Sequence, residues 1–250
     1  MTGPASLSDH VETPARATLR PLVGAGVWHG VRADWIEFVS RGDIVNGVLA
    51  RSVTPTASQR DRLPALLLLA HDAGASAAST DFGPVASWVA DGLTVAVIDL
   101  PLHGHRASPK LSERLIESTL AIERGDPVDR NSQVLVDEFL RQATSDLIRT
   151  LDAVLQLDEV DAKRVGFLGL GLGASLGSSL VQQDERIGAA VLARAPGDKR
   201  QTPPPFPNAD SASNGARSGE RAAVLTVHFD RRTSDWPAAA RPFLASRLGF

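Results

Sequence analysis

The sequence predicts an α/β protein whose sheet is mostly parallel and carries helices on both faces. Two observations lead there. Short continuous apolar runs recur, such as Leu63 to Ala70 (LPALLLLA) and Leu93 to Leu100 (LTVAVIDL), as expected of strands that meet no water on either side. Between such runs lie segments with apolar residues at helical spacing, and strands alternating with helices specify parallel pairing through crossovers.

The elements follow in order. Residues 1–30 are rich in Pro, Ala, Ser, Thr and Gly without periodicity, and are expected to form a loosely ordered arm ahead of one domain over 31–250. From Trp35, WIEFVSRGDIVNGVL alternates around Arg41-Gly42-Asp43, the pattern of two strands joined by a turn. A polar connector leads to the strand at Leu63–Ala70, which His71-Asp72-Ala73-Gly74 ends. Phe82, Val85, Trp88 and Val89 then mark a helix closed by Asp91-Gly92.

The strand at Leu93–Leu100 carries Asp99 near its end and feeds the loop Pro101 to Arg106. Ser108-Pro109 opens a short helix, and Val136, Phe139, Leu140, Ala143, Leu147, Leu151 and Val154 form the apolar stripe of a longer one. A strand at Val165, a glycine-rich turn, a helix and a strand from Ile187 to Ala193 follow. Residues 203–218 (PPPFPNADSASNGARS) have almost nothing to bury and read as a flexible loop. The last strand spans Ala222–His228, and a final helix starts near Pro237, with Pro242 expected to kink it or reset its start.

Composition narrows the function. A net charge of −3, with Lys and Arg scattered, gives no electrostatic basis for a nucleic-acid or anionic-membrane partner. No apolar run approaches the ~20 residues of a bilayer span. The N-terminus shows no basic-then-apolar signal pattern, so a cytoplasmic location is expected. The absence of cysteine excludes disulfides, thiolate metal sites and a cysteine nucleophile, and the absence of tyrosine removes any phenol acid. No His or carboxylate cluster has metal spacing, so neither metal nor cofactor is expected.

In such a sheet, ligands bind outside the carboxyl ends of the strands. The loops at His71, His103, Gly171, Arg194 and His228 all follow strands and should therefore share one edge. The most informative of them lies in RVGFLGLGLGASLGSSLV, residues 164–181, an apolar strand entering a glycine turn and leaving as a helix.

Three blocks in this order resemble the α/β-hydrolase superfamily, in particular its dienelactone-hydrolase and small acyl-esterase branch, over roughly Trp35 to Leu248. LLLLAHDAGAS is similar to the strand and loop that supply an oxyanion donor. DGLTVAVIDLPLHGHR is similar to the D-x-P-G-H-G segment, with Leu102 in place of a glycine. The glycine turn is similar to the G-x-S-x-G nucleophile elbow. The resemblance implies a triad in chain order Ser, Asp/Glu, His, and the chain departs from it at each position. Gly171 stands where the serine would be, in Gly169-Leu170-Gly171-Leu172-Gly173. The acid position falls on Arg232 or Thr233, with Asp230 and Asp235 to either side, and the chain ends at Phe250 before the last strand and helix that would bring the histidine.

Two other readings of the turn stay open. Gly173-Ala174-Ser175-Leu176-Gly177 is itself G-x-S-x-G. Placing Ser175 at the turn leaves a helix shorter than the roughly three turns typical of one, and puts three glycines inside a strand, where they weaken pairing. Gly169-x-Gly171-x-x-Ala174 satisfies the dinucleotide fingerprint, as in hydroxyacid dehydrogenases. Arg194 would then face an NADP 2′-phosphate, although no acid stands ready for the ribose and too little chain follows for the other half of such a sheet.

His71 and His103 read as structural loop residues, His105 as solvated, and Asp99 as an organiser of its turn. Asp72 lies on the oxyanion loop, where a cap on the following helix is the plainer role. The catalytic candidates are Ser175, His228, Asp230 and Asp235. Backbone N–H groups at Asp72 or Ala73 and at Leu172, beside Gly171, form the expected oxyanion or ligand-binding donors.

The expected function is a non-hydrolytic, hydrolase-like protein that binds a small molecule bearing a carbonyl or carboxylate, or that acts as a scaffold. A protein partner or second copy could complete the sheet edge. An acyl hydrolase using Ser175 is the first alternative, and an NADP-binding oxidoreductase the second.

Overall fold

The structure is a computed structural model that describes residues 16–21, 31–53, 62–79, 83–194, 222–228 and 235–250. The stretch 203–218 and Asp230 lie outside the described residues.

Eight strands form a single sheet: β1 (Thr18–Pro21), β2 (Val31–Ser40), β3 (Asp43–Ser52), β4 (Ala65–Ala70), β5 (Leu93–Ile98), β6 (Asp161–Leu170), β7 (Ile187–Arg194) and β8 (Ala223–His228). Their order across the sheet is β1-β2-β3-β5-β4-β6-β7-β8. β4 to β8 run parallel, β3 is antiparallel to both β2 and β5, and β1 is antiparallel to β2. This is the mostly parallel α/β sheet that the sequence predicts. Every residue of β4 and β5 is buried, which is why both read as unbroken apolar runs.

The helices are α1 (Gly83–Ala90), α2 (Pro109–Arg124), α3 (Arg130–Val154), α4 (Leu172–Gln183) and α5 (Trp236–Leu248). α2, α3 and α4 pack on one face of the sheet around Leu115, Phe139, Leu147 and Leu176. α1 and α5 cover the other face through Val85, Trp88, Trp236 and Leu244. The helices that follow β4 and β6 therefore leave on opposite faces. Because β5 and β6 lie on opposite sides of β4, the chain reverses its winding there, and the loops after β4 and β6 flank a crevice.

Three local expectations change. The arm expected over 1–30 contains β1, whose residues Thr18 to Pro21 pair with Glu37 to Asp34. The helix opened by Ser108-Pro109 is not short: α2 has 16 residues and ends only at Gly125, which takes φ +79°, a conformation glycine adopts at little cost. α5 starts at Trp236 and continues through Pro242, so the helix start is not reset there. The one hydrogen bond lost there is outweighed by Trp236, Ala240, Leu244 and Leu248, all buried. No strand follows β8 among the described residues; α5 closes the described chain.

Candidate functional site

The turn after β6 has the geometry of a nucleophile elbow. Gly171 takes φ +53° and ψ −109°, between the strand and α4, a conformation that a residue with a side chain holds only under strain. The register with Gly171 at the turn is thus the one the chain adopts. Ser175 lies in the first turn of α4, and its hydroxyl is buried with no hydrogen-bond partner.

What fills the elbow is Asp72. Its Oδ1 accepts the Leu172 N–H at 2.7 Å and the Ala73 N–H at 2.8 Å. These are the two amides expected to act as oxyanion donors. They do converge on one point, and the chain's own carboxylate oxygen occupies it. A Cβ built on Gly171 would overlap the same carboxylate. Asp72 and a serine at 171 therefore compete for one volume. The sequence placed Asp72 as a helix cap, but α1 starts well after it, and the side chain instead bridges the loops after β4 and β6. Only the sheet order brings positions 72 and 171 together.

The glycines flanking the elbow have a packing reason. A Cβ on Gly173 would overlap the Ala70 carbonyl, so α4 can lie this close to β4 only without one. The dinucleotide reading needs the helix N-terminus open for a pyrophosphate, and there Asp72 presents a carboxylate. The sheet also lacks the 3-2-1-4-5-6 order of a dinucleotide-binding sheet. Arg194 is buried at the end of β7 and donates to the Ala174 carbonyl at 3.3 Å.

His71 and His103 hold loop backbone, as expected. His71 Nδ1 lies 2.9 Å from the Asp72 carbonyl and His103 Nδ1 2.8 Å from that of Pro101. Their rings stand 5.2 Å apart. Burial pushes the His71 pKa from 6.5 down to about 4 and lowers that of His103 as well. Both rings are neutral near pH 7, each Nδ1–H donating to its carbonyl.

Of the remaining candidates the structure describes, His228 and Asp235 do not meet. His228 is exposed at the end of β8, Asp235 is exposed before α5, and no hydrogen bond joins either to the other or to Ser175 among the described residues. No three His, Asp or Glu side chains gather to hold a metal ion among the described residues.

The reading of the sequence missed one pair. Asp99, wholly buried, does organise its turn by accepting the Ala77 and His105 N–H groups at 2.8 and 2.9 Å. It also binds His105 Nδ1 at 2.8 Å, so His105 is a held side chain and not merely a solvated one. The two residues are only six positions apart, across the turn Gly104–Arg106, but no motif in the sequence marked the contact.

Comparison with known proteins agrees with the architecture. No protein-family model and no curated sequence matches the chain. Among solved structures, it resembles a cold-adapted esterase from an Arctic intertidal metagenomic library at 15% identity and a TM-score of 0.56, over 88% of this chain and 95% of that one. It also resembles acetyl xylan esterase 1 from Thermoanaerobacterium sp. JW/SL YS485 (19% identity, TM-score 0.51, 72% of this chain and 53% of that one). A third likeness is the acetyl xylan esterase from Paenibacillus sp. R4 (17%, 0.50, 72% and 52%). The chain spans about half the length of these acetyl xylan esterases. Among the described residues no helix is long and apolar enough to cross a membrane. With its sheet order, its glycine elbow and these neighbours, the chain has the fold of the α/β-hydrolase superfamily.

Proposed function

We propose that this protein is a non-hydrolytic member of the hydrolase fold, a pseudoenzyme whose elbow is closed by its own carboxylate. The observation that carries the reading is Asp72 Oδ1 on the Leu172 and Ala73 amides. Acyl transfer needs a nucleophile and an empty pair of donors where the oxyanion develops. Here the nucleophile position is Gly171, and the donors are engaged in the resting state. A ligand bearing a carbonyl or carboxylate can use them only by displacing Asp72, so binding of such a molecule at this point is weak and scaffolding is favoured. The esterase names of the structural neighbours support descent from an acyl-esterase-like ancestor.

The alternative, an active ester hydrolase using Ser175, is opposed by the burial of that hydroxyl. A fluorophosphonate probe together with an aryl acetate separates the two. The expected result is no labelling of the native chain and no turnover above the buffer rate. Labelling at Ser175 that disappears in Ser175→Ala, with matching loss of turnover, would overturn the proposal.

A further inference from the structure

We infer that the face of the sheet at β1–β3, beside His105, is a binding site for a neutral polyhydroxylated ring of about one sugar unit. It is separate from the elbow and does not depend on the proposal above. A pocket of about 150 Å³ is lined by Thr18, Arg20, Trp35, Glu37, Asn46 and His105. Strand register builds it. Thr18, Glu37 and Asn46 stand opposite one another across the three strands, and Arg20 stands opposite Trp35 one step along. Residues opposed in this way, and residues two apart on one strand, share a face. Five of these polar or aromatic side chains therefore come to one surface by pairing alone.

His105 closes one side. Its ring meets Trp35 edge-on, with centroids 5.4 Å apart and planes at 82°. Nδ1 is committed to the buried Asp99 carboxylate at 2.8 Å, which fixes the ring and makes Nδ1 the protonated nitrogen. Nε2 is then the one polar atom the ring has left to offer, on a side chain that is 57% exposed. A histidine oriented from behind by a buried carboxylate, with its other nitrogen turned outward, is built to meet something.

Charge selects the ligand class. Arg20 and Glu37 pair across the pocket at 3.3 Å, and so exposed an ion pair adds little to stability. Together they present no net charge, so an anion meets Glu37 and a cation meets Arg20. A neutral ligand with several hydroxyls suits the set, because each hydroxyl both donates and accepts. Glu37 accepts, Arg20 donates, Thr18 and Asn46 do both, and His105 Nε2 adds one more polar atom. The half-buried indole of Trp35 lines the pocket as its aromatic surface, suited to the polarised C–H groups of such a ring. A few placed polar groups around one aromatic surface is the general pattern of a small-molecule site.

The test is NMR titration of the full chain with D-glucose, D-xylose and D-galactose, alongside sodium acetate, phosphate and choline chloride, observing the His105 ring. The expected result is a saturable shift with at least one sugar and none with the charged probes. Glu37→Ala and Asn46→Ala should each weaken affinity by roughly two- to tenfold, the worth of one hydrogen bond, and Trp35→Ala should abolish it. Because Trp35 also packs on the core, the two exposed-side variants decide the matter if that one fails to fold. A saturable shift confined to acetate, phosphate or choline, or none with any sugar, overturns the inference. Labelling at Ser175 would leave it standing.

Discussion

His71 shows how one side chain contributes to the acid sensitivity of the molecule. It is almost wholly buried at the end of β4, and burial holds its pKa near 4 against an ordinary 6.5. The unfolded chain therefore takes up a proton first as pH falls, and between about 6.5 and 4 the unfolded state binds more protons than the folded one. The part of the stability that rests on neutral His71 is full above 6.5, falls through that window and is gone below about 4. The lowered pKa of His103 acts in the same direction. At about 1.4 kcal/mol per pH unit of difference, His71 alone is worth roughly 3 kcal/mol across the window. Urea unfolding at pH 7 and pH 4 measures this, and His71→Gln should flatten the dependence. An equally steep dependence in the variant would show that His71 is not the cause. The sequence marked His71 and His103 as structural because histidines in such loops bond backbone and hold turns, as the family resemblance also implies. It did not reveal Asp72 on the Leu172 amide, since the bond spans 100 positions.

Among the elements, α4 shows why the glycine run was ambiguous. Glycine is called for both where a backbone turns sharply and where two backbones approach closely, and RVGFLGLGLGASLG contains both cases. Gly171 serves the turn through its positive φ, and Gly173 serves the approach of α4 to the Ala70 carbonyl. A sequence pattern cannot separate these uses, which is why a nucleophile elbow and a dinucleotide loop could both be fitted to it. Gly173→Ala should push α4 from the sheet and cost about 1–3 kcal/mol, the usual range for overpacking. Chemical denaturation checks this, and an alanine variant as stable as the parent would contradict the close approach. The helix existed plainly in the sequence; its distance from β4 did not.

For the molecule as a whole, a buried network ties three separate segments together. Ser40 at the end of β2 donates to Asp146 Oδ1 at 2.6 Å, and Arg106 in the loop after β5 donates to Asp146 Oδ2 at 2.6 Å. Arg106 also donates to the Asp99 carbonyl at 3.3 Å, so α3 is coupled to the loop that orients His105. Asp146 is nearly inaccessible and Arg106 largely so. Removing Asp146 leaves Arg106, among the described residues, only the exposed Asp43 carboxylate at 3.7 Å and the Asp99 carbonyl, so Asp146→Ala should cost up to about 3–5 kcal/mol, the range for breaking a buried pair. Thermal unfolding reads that loss directly. A change within the range of ordinary surface substitutions, about 0.5 kcal/mol, would mean that Arg106 finds water instead. In sequence, Asp146 was one polar residue inside an apolar stripe, with nothing to show that its partners lay on β2 and beyond β5.

What the sequence determined by itself is the architecture and the vacancy at its elbow. Burial on both faces writes strands as apolar runs, amphipathic packing writes helices as stripes, and a missing side chain at 171 is visible in one letter. Those are local signals, carried within a few residues of chain. What only the tertiary structure decided is the occupant of the elbow and the company that His105 keeps. Asp72 reaches Leu172 because β4 and β6 are neighbours in the sheet, and Trp35, Glu37 and Asn46 meet His105 because β2 and β3 pair beside β5. Contacts of that kind depend on strand order and register, which position along the chain does not encode.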